Sequence, residues 1–201
     1  MEKEKLITTG GSRRNLKFPY LIPFSEGKKI HVLDVDNIDG FRGSSKLSSW
    51  SATGFYAKQG DNIFASRTGV VVEVAGAQRS EDAQNWYNGW NNNITILQPD
   101  GTLMCYRNVV DKQKKLKLGQ TIYAGQLIGQ VAPASNNIML LIYHDSLITK
   151  GLTFIIPQFV VDVGKTGIVN STTEYMVVHP ADIRGLEMSK KERKKILGVK
   201  K

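Results

Sequence analysis

One cysteine in 201 residues, Cys105, excludes an internal disulfide and any zinc cluster built from several thiolates. Its setting in Leu103-Met104-Cys105-Tyr106 predicts a half-buried strand thiol rather than a nucleophile. Histidine is almost as scarce. His31, His144 and His179 stand far apart, and none forms an H-x-H or H-E-x-x-H pair, so each is expected to be a surface or hydrogen-bonded residue. No stretch reaches the ~18 consecutive apolar residues of a membrane-spanning helix. The longest apolar runs are 138–143 and 152–163, the second interrupted by Pro157 and Gln158. The opening Met1-Glu2-Lys3-Glu4-Lys5 carries no apolar segment, so no signal peptide is expected. Most of the chain also lacks an excess of either charge. Of the formal net charge of +9, +6 falls on residues 190–201, where seven Lys and Arg face only Glu192. The remaining +3 is spread over 189 residues, so basicity is a property of the tail.

What is present is ordinary. The chain is 41% hydrophobic and 22% charged, which excludes collagen-like, disulfide-scaffold and strongly charged disordered classes. Its length suits one domain with an appendage, burying roughly 70% of the unfolded surface. Segments 70–74, 93–97, 102–106, 121–122, 127–131 and 138–143 are short and rich in β-branched residues, with Gly, Asn, Asp or Pro between them. That spacing predicts an all-β sandwich or barrel. Pro99-Asp100-Gly101 reads as a hairpin turn in which Gly101 supplies a positive φ. Helix is expected only near the end, opened by Pro180-Ala181-Asp182-Ile183 and then over 190–197 with Ser189 as cap.

The sequence also repeats itself. Lys58-Gln59-Gly60-Asp61-Asn62-Ile63-Phe64-Ala65 and Lys117-Leu118-Gly119-Gln120-Thr121-Ile122-Tyr123-Ala124 both fit K-x-G-x-x-I-[FY]-A. In each, a glycine stands where a tight turn starts a strand, and the Ile and aromatic-Ala residues are expected to face the core. Two hairpins of this kind facing each other would make a hybrid of barrel and sandwich. Two unrelated turns using common turn chemistry are the alternative.

Taken in order, these pieces resemble the lysostaphin-like (LytM-type) zinc endopeptidases, which cut peptide cross-links in bacterial peptidoglycan. Residues 60–74, beginning Gly60-Asp61-Asn62-Ile63-Phe64-Ala65, are similar to the family's G-T-P-V-Y-A-A-x-x-G-V-V. Residues 93–109 are similar to n-x-v-x-I-x-H-x-D-G-x-x-x-x-Y-x-H-L, and 118–131 to v-G-x-x-V-k-k-G-q-x-I-G-x-v-G. Pro19-Tyr20-Leu21-Ile22-Pro23-Phe24 is similar to the lead-in of envelope members. The resemblance covers roughly residues 18–150 and implies a duplicated-hybrid-motif β-sandwich with a long groove. It also implies a location in the cell envelope or periplasm.

The chemistry departs from that pattern. Family members hold zinc with a His, an Asp and the second His of an H-x-H strand, and a hydrolytic zinc needs three such ligands beside an open water position. The resemblance sets these positions on Ser45, Gly54 and Leu141, with Met139 at the first His of the H-x-H strand and Asn108 at the His of Y-x-H-L. None supplies more than a weak donor. The expectation is therefore no catalytic residue, no metal and no cofactor, in a peptidase frame that binds or regulates. An active zinc endopeptidase with relocated ligands, His144 first among them, is the alternative.

Binding residues are sought in Asn85-Trp86-Tyr87-Asn88-Gly89-Trp90, where Trp86, Tyr87 and Trp90 with amide neighbours suit sugar rings or peptide backbones. A loop whose tryptophans staple back onto the sheet is the plainer alternative. Arg107 beside Asn108 offers a clamp for a carboxylate, or is simply a surface arginine. Expected partners are a peptidoglycan peptide or glycan, or a cell-wall hydrolase. The basic tail suggests contact with an anionic surface or polymer, and no DNA-reading motif accompanies it. The expected organisation is an N-terminal arm over 1–17, a peptidase-type β domain over 18–150, a β extension of two or three strands over 151–188, and the basic tail over 189–201.

Overall fold

A computed structural model describes residues 18–35, 52–75, 92–146 and 151–198. It is all-β, with two short helices at the C-terminal end. The first strands are β1 (Lys29–Leu33), β2 (Thr53–Tyr56), β3 (Asn62–Phe64) and β4 (Gly69–Val74). They are followed by β5 (Asn93–Leu97), β6 (Leu103–Arg107), β7 (Val109–Val110), β8 (Thr121–Ile122), β9 (Leu127–Val131) and β10 (Asn137–Ser146). The C-terminal part holds β11 (Gly151–Phe154), β12 (Phe159–Asp162), β13 (Lys165–Gly167) and β14 (Glu174–Met176). Helices α1 (Ala181–Arg184) and α2 (Lys190–Leu197) close the chain.

The main sheet runs β14-β1-β2-β10-β6-β5-β4-β8, with β11 paired to the far half of β10. A small sheet, β3-β9-β7, and the β12-β13 ribbon accompany it. Side chains alternate across a strand, so one set of positions on the main sheet builds the core. Ile30 and Val32, Phe55, Ile94 and Ile96, Met104 and Tyr106, and Ile138, Leu140 and Ile142 all belong to that core. Aromatic edges reinforce it, with Phe55 meeting Phe24 and Phe159 at centroid distances of 5.9 and 5.7 Å.

The repeat is present but does not form two self-paired hairpins. The two copies exchange strands: β3 of the first pairs with β9 of the second, and β4 of the first pairs with β8 of the second. The turn glycines show the reciprocity. Gly60 N–H donates to the Val131 carbonyl and Gly119 N–H to the Val71 carbonyl, each with φ near +80° (84° and 80°). Ile63 and Ile122, at matching positions, are both fully buried. Exchange wins over hairpins because each copy alone would expose its Ile and alanine face, whereas interlocking buries both.

The C-terminal part makes four strands rather than two or three. Pro157 lacks the N–H a ladder needs, so the run from 152 to 163 splits into β11 and β12 on either side of it. β14 pairs with β1, and Phe159, Val169, Tyr175 and Val177 join the same core as the central strands. The strand expected over 102–106 starts at Leu103, because Thr102 N–H and Oγ1 both donate to the Asp100 carboxylate in the hairpin turn. Residues 1–17, the expected arm, lie outside the described residues.

Candidate functional site

The second face of the main sheet carries the positions that the resemblance marks for zinc. Directly opposed residues in an antiparallel ladder share a face. One row therefore runs Leu33, Gly54, Met139, Arg107, Asn93 across five strands. The next row runs Leu141, Cys105, Thr95, Glu73, and a third begins Tyr143, Leu103, Leu97. Gly54, Met139 and Leu141 thus lie side by side, as a ligand set would. Their chemistry is the opposite of one.

Met139 and Leu141 are buried, at 3% and 7% exposure, in an apolar cluster with Val35, Ala52, Cys105 and Phe154. Tyr143 packs against it, its ring 6.0 Å from Phe154. The Cys105 thiol is pushed up to about 11 by burial, against opposing hydrogen bonds from Thr95 and Asn93 and the charge of Arg107. It is a thiol, not a thiolate, at neutral pH.

Zinc does not fit this face. A glycine, a thioether and an alkyl chain at the marked positions leave it without three anionic or imidazole donors, and a cation among apolar groups would be uncompensated. Ser45 lies outside the described residues. Among those described, no three His, Cys, Asp or Glu side chains converge on a metal-sized site. The histidines are engaged singly. His31 faces Glu174, His179 Nε2 donates to the Ile22 carbonyl at 3.0 Å, and His144 Nδ1 meets the Gly101 carbonyl at 3.2 Å. His144 is three residues beyond Leu141 on β10, an odd step that turns it away from the cluster.

The polar half of the face is better supplied. Thr95 Oγ1 donates to Glu73 Oε2 at 2.7 Å. Arg107, at the end of β6, is partly buried rather than a plain surface arginine. Burial lowers its pKa, with Cys105 opposing. Asn93, 4% exposed, stands opposite Arg107, and its Oδ1 is buried without a hydrogen-bond partner among the described residues. An unmet acceptor of that kind costs about 1–3 kcal/mol until something donates to it. Asn108 has a structural duty: it sits at φ 61°, and its Nδ2 donates to Asn137 Oδ1 at 2.9 Å. Trp86, Tyr87 and Trp90 lie outside the described residues.

Sequence reasoning missed the strongest polar cluster, which is structural. Arg67, 2% exposed, donates through Nη1 to Gln98 Oε1 and Asp100 Oδ2, both at 2.9 Å, and to the Tyr20 hydroxyl. Its Nε and Nη2 clamp the Glu187 carboxylate, and the Phe18 and Tyr20 rings flank it at 5.3 and 5.1 Å. Its partners lie 31, 33, 47 and 120 residues away, so no local pattern marks them.

No family model matches the chain. Its structure is similar to several solved ones, among them the following three. Pseudoalterin, a deep-sea M23 metalloprotease, has a TM-score of 0.48 and 11% identity, covering 82% of this chain and 98% of that one. The catalytic domain of the antimicrobial peptidase lysostaphin from Staphylococcus simulans has a TM-score of 0.40 and 20% identity, covering 65% and 88%. The solution structure of lysostaphin has a TM-score of 0.39 and 18% identity, and the match covers 51% of this chain and 40% of that one. The chain resembles the lysostaphin-like peptidases, in an all-β fold with two short C-terminal helices.

Proposed function

We propose that this chain is a lysostaphin-like frame that binds a peptidoglycan peptide or glycan on the second face of its main sheet and does not cut it. One observation carries the reading: the face marked for zinc holds Met139, Leu141, Cys105, Ala52, Val35 and Phe154 in an apolar cluster. Beside this cluster, partly exposed Arg107 offers a cation. A peptide presents the complement, a carboxylate for the guanidinium. Trp86, Tyr87 and Trp90, a few residues ahead of β5, are assigned to stack on sugar or peptide planes. The ligand is in the cell envelope.

Cosedimentation with purified sacculi, with zinc supplied, tests this. Wild-type protein is expected in the pellet without release of soluble muropeptides, and titration with zinc is expected to give no saturable heat. Arg107→Ala should weaken sacculus binding about tenfold, as loss of a charge-assisted hydrogen bond does. Zinc-dependent release of muropeptides would establish the relocated-ligand peptidase instead. Retention by a cell-wall hydrolase and not by bare sacculi would make the chain a hydrolase regulator.

A further inference from the structure

A cleft of about 660 Å3 lies between the turn after β8 and the C-terminal helices, lined among others by Tyr123, Ala124, Arg184, Lys191, Lys195 and Ile196. It shares no residue with the second face of the sheet. Its charges are mostly basic, with Arg184, Lys191 and Lys195 against the single carboxylate of Glu192. Among the described residues, neither Arg184, Lys191 nor Lys195 has a carboxylate partner.

The one acid in the cleft is committed elsewhere. Glu192 accepts from the Tyr123 hydroxyl at 2.6 Å and from the Ser189 N–H at 2.7 Å, closing a capping box at the start of α2. The lining therefore keeps a net +2 at neutral pH. Lys191 and Lys195 stand four residues apart on the same side of α2, a like-charge pair that a helix alone disfavours. Arg184 is held in place through Nε, which donates to the Ala124 carbonyl at 3.4 Å. Gly125, at φ 77°, makes room for it, since a Cβ there would come within 2.8 Å of that same nitrogen. The remainder of the floor, Ile196, Ala124 and the Tyr123 ring, is suited to an uncharged polymer backbone.

We propose that this cleft binds a linear phosphate-bearing polyanion. Three cations against one carboxylate leave the lining net positive, which calls for an anionic ligand, and arginine with lysine is the donor set that phosphate oxygens favour. The volume lies within the ~300–1,000 Å3 of small-ligand sites, enough for a few monomer units. The site stands apart from the proposed sacculus binding, so either can fail without the other.

The test uses the full chain and inorganic polyphosphate, with dissociation constants measured across a salt series. Lys191→Gln with Lys195→Gln is expected to raise the dissociation constant at least about tenfold and to reduce the salt slope by about 1.5–2. Lys190→Gln with Lys194→Gln removes the same charge from the same helix outside the cleft lining, and should change it less than about twofold. Neither pair touches the Ser189 cap or a buried side chain. Equal losses from the two pairs would overturn the proposal in favour of diffuse charge. So would equal binding of polyglutamate, or binding only to phosphatidylglycerol vesicles.

Discussion

Arg67 shows how one residue joins distant parts of the chain. Its guanidinium ties the lead-in segment through Tyr20, the Pro99-Asp100-Gly101 hairpin through Asp100, and the C-terminal segment through Glu187. A buried ion pair of this kind adds little over a well-packed apolar substitute, but removing one partner strands the others. Arg67→Ala should cost about 3–5 kcal/mol in urea unfolding, because two carboxylates and Gln98 Oε1 lose their donor together. Arg67→Lys should recover only part, since an ammonium cannot bridge both carboxylates with paired bonds. A loss below about 1 kcal/mol for the alanine variant would mean that water replaces the guanidinium freely. At this scale the second face is equally definite: Leu141 and Gly54 are the wrong chemistry for a metal, and a single thiol near pKa 11 does not repair it.

At the scale of the element, β4 is held from both sides. It pairs with β5 on one side and, through the exchanged repeat, with β8 on the other. Gly69 opens it, and a Cβ there would lie 2.4 Å from the Leu97 carbonyl oxygen and 2.6 Å from Ile96 Cγ2. The first of these is backbone and cannot rotate away. Gly69→Ala should therefore destabilise by about 1–3 kcal/mol, the usual cost of overpacking, and loosen amide protection along β4 and β5. Unchanged stability would mean that the ladder can shift at its start. Much at this scale was legible in advance. The strands over 93–97, 121–122 and 127–131 match their expected spans, and Ser189 caps Lys190–Leu197 with Glu192 as the return partner. Short-range chemistry decides such features, so a local pattern carries them. β1, β2 and β7 were not legible. β1 alternates polar and apolar residues only over Lys29–Val32, β2 and β7 are four and two residues long, and β14, β10 and β9 pair with them.

For the whole molecule, acid should act in two stages. Burial lowers the pKa of His179, against the opposing Ile22 carbonyl and the charge of Glu26, with Arg184 adding to the depression. A histidine depressed in the folded state is neutral there and protonates more readily when unfolded. Its contribution is complete above the unfolded value near 6.5 and is lost as pH falls through the lower folded value. The carboxyls of Asp100 and Asp61 follow. Burial pushes both up, but bonds from Thr102 and Arg67 to the first, and from Lys28 and Lys58 to the second, outweigh it and hold both below the usual range. Their contribution is present above about 3.9 and disappears below it. The thermal midpoint should decline first below about pH 6.5 and again below about pH 4, and His179→Gln should remove the first decline alone. A midpoint flat from pH 8 to pH 5 in the wild type would contradict the assignment.

The sequence by itself determined the class of fold and the character of the marked site. Alternating β-branched segments between turn residues specify an all-β chain, and a repeat with a glycine and an isoleucine at matched positions specifies a duplicated core. That a glycine and a leucine stand at the marked positions 54 and 141 is likewise a matter of identity, which needs no coordinates. Only the tertiary structure decided that the two repeats exchange strands, that Gly54, Met139 and Leu141 share one apolar face, and that Arg67 gathers Tyr20, Asp100 and Glu187. The reason is separation along the chain. Pairings between residues tens of positions apart depend on which surfaces bury one another best, and that is a property of the assembled sheet rather than of any local stretch.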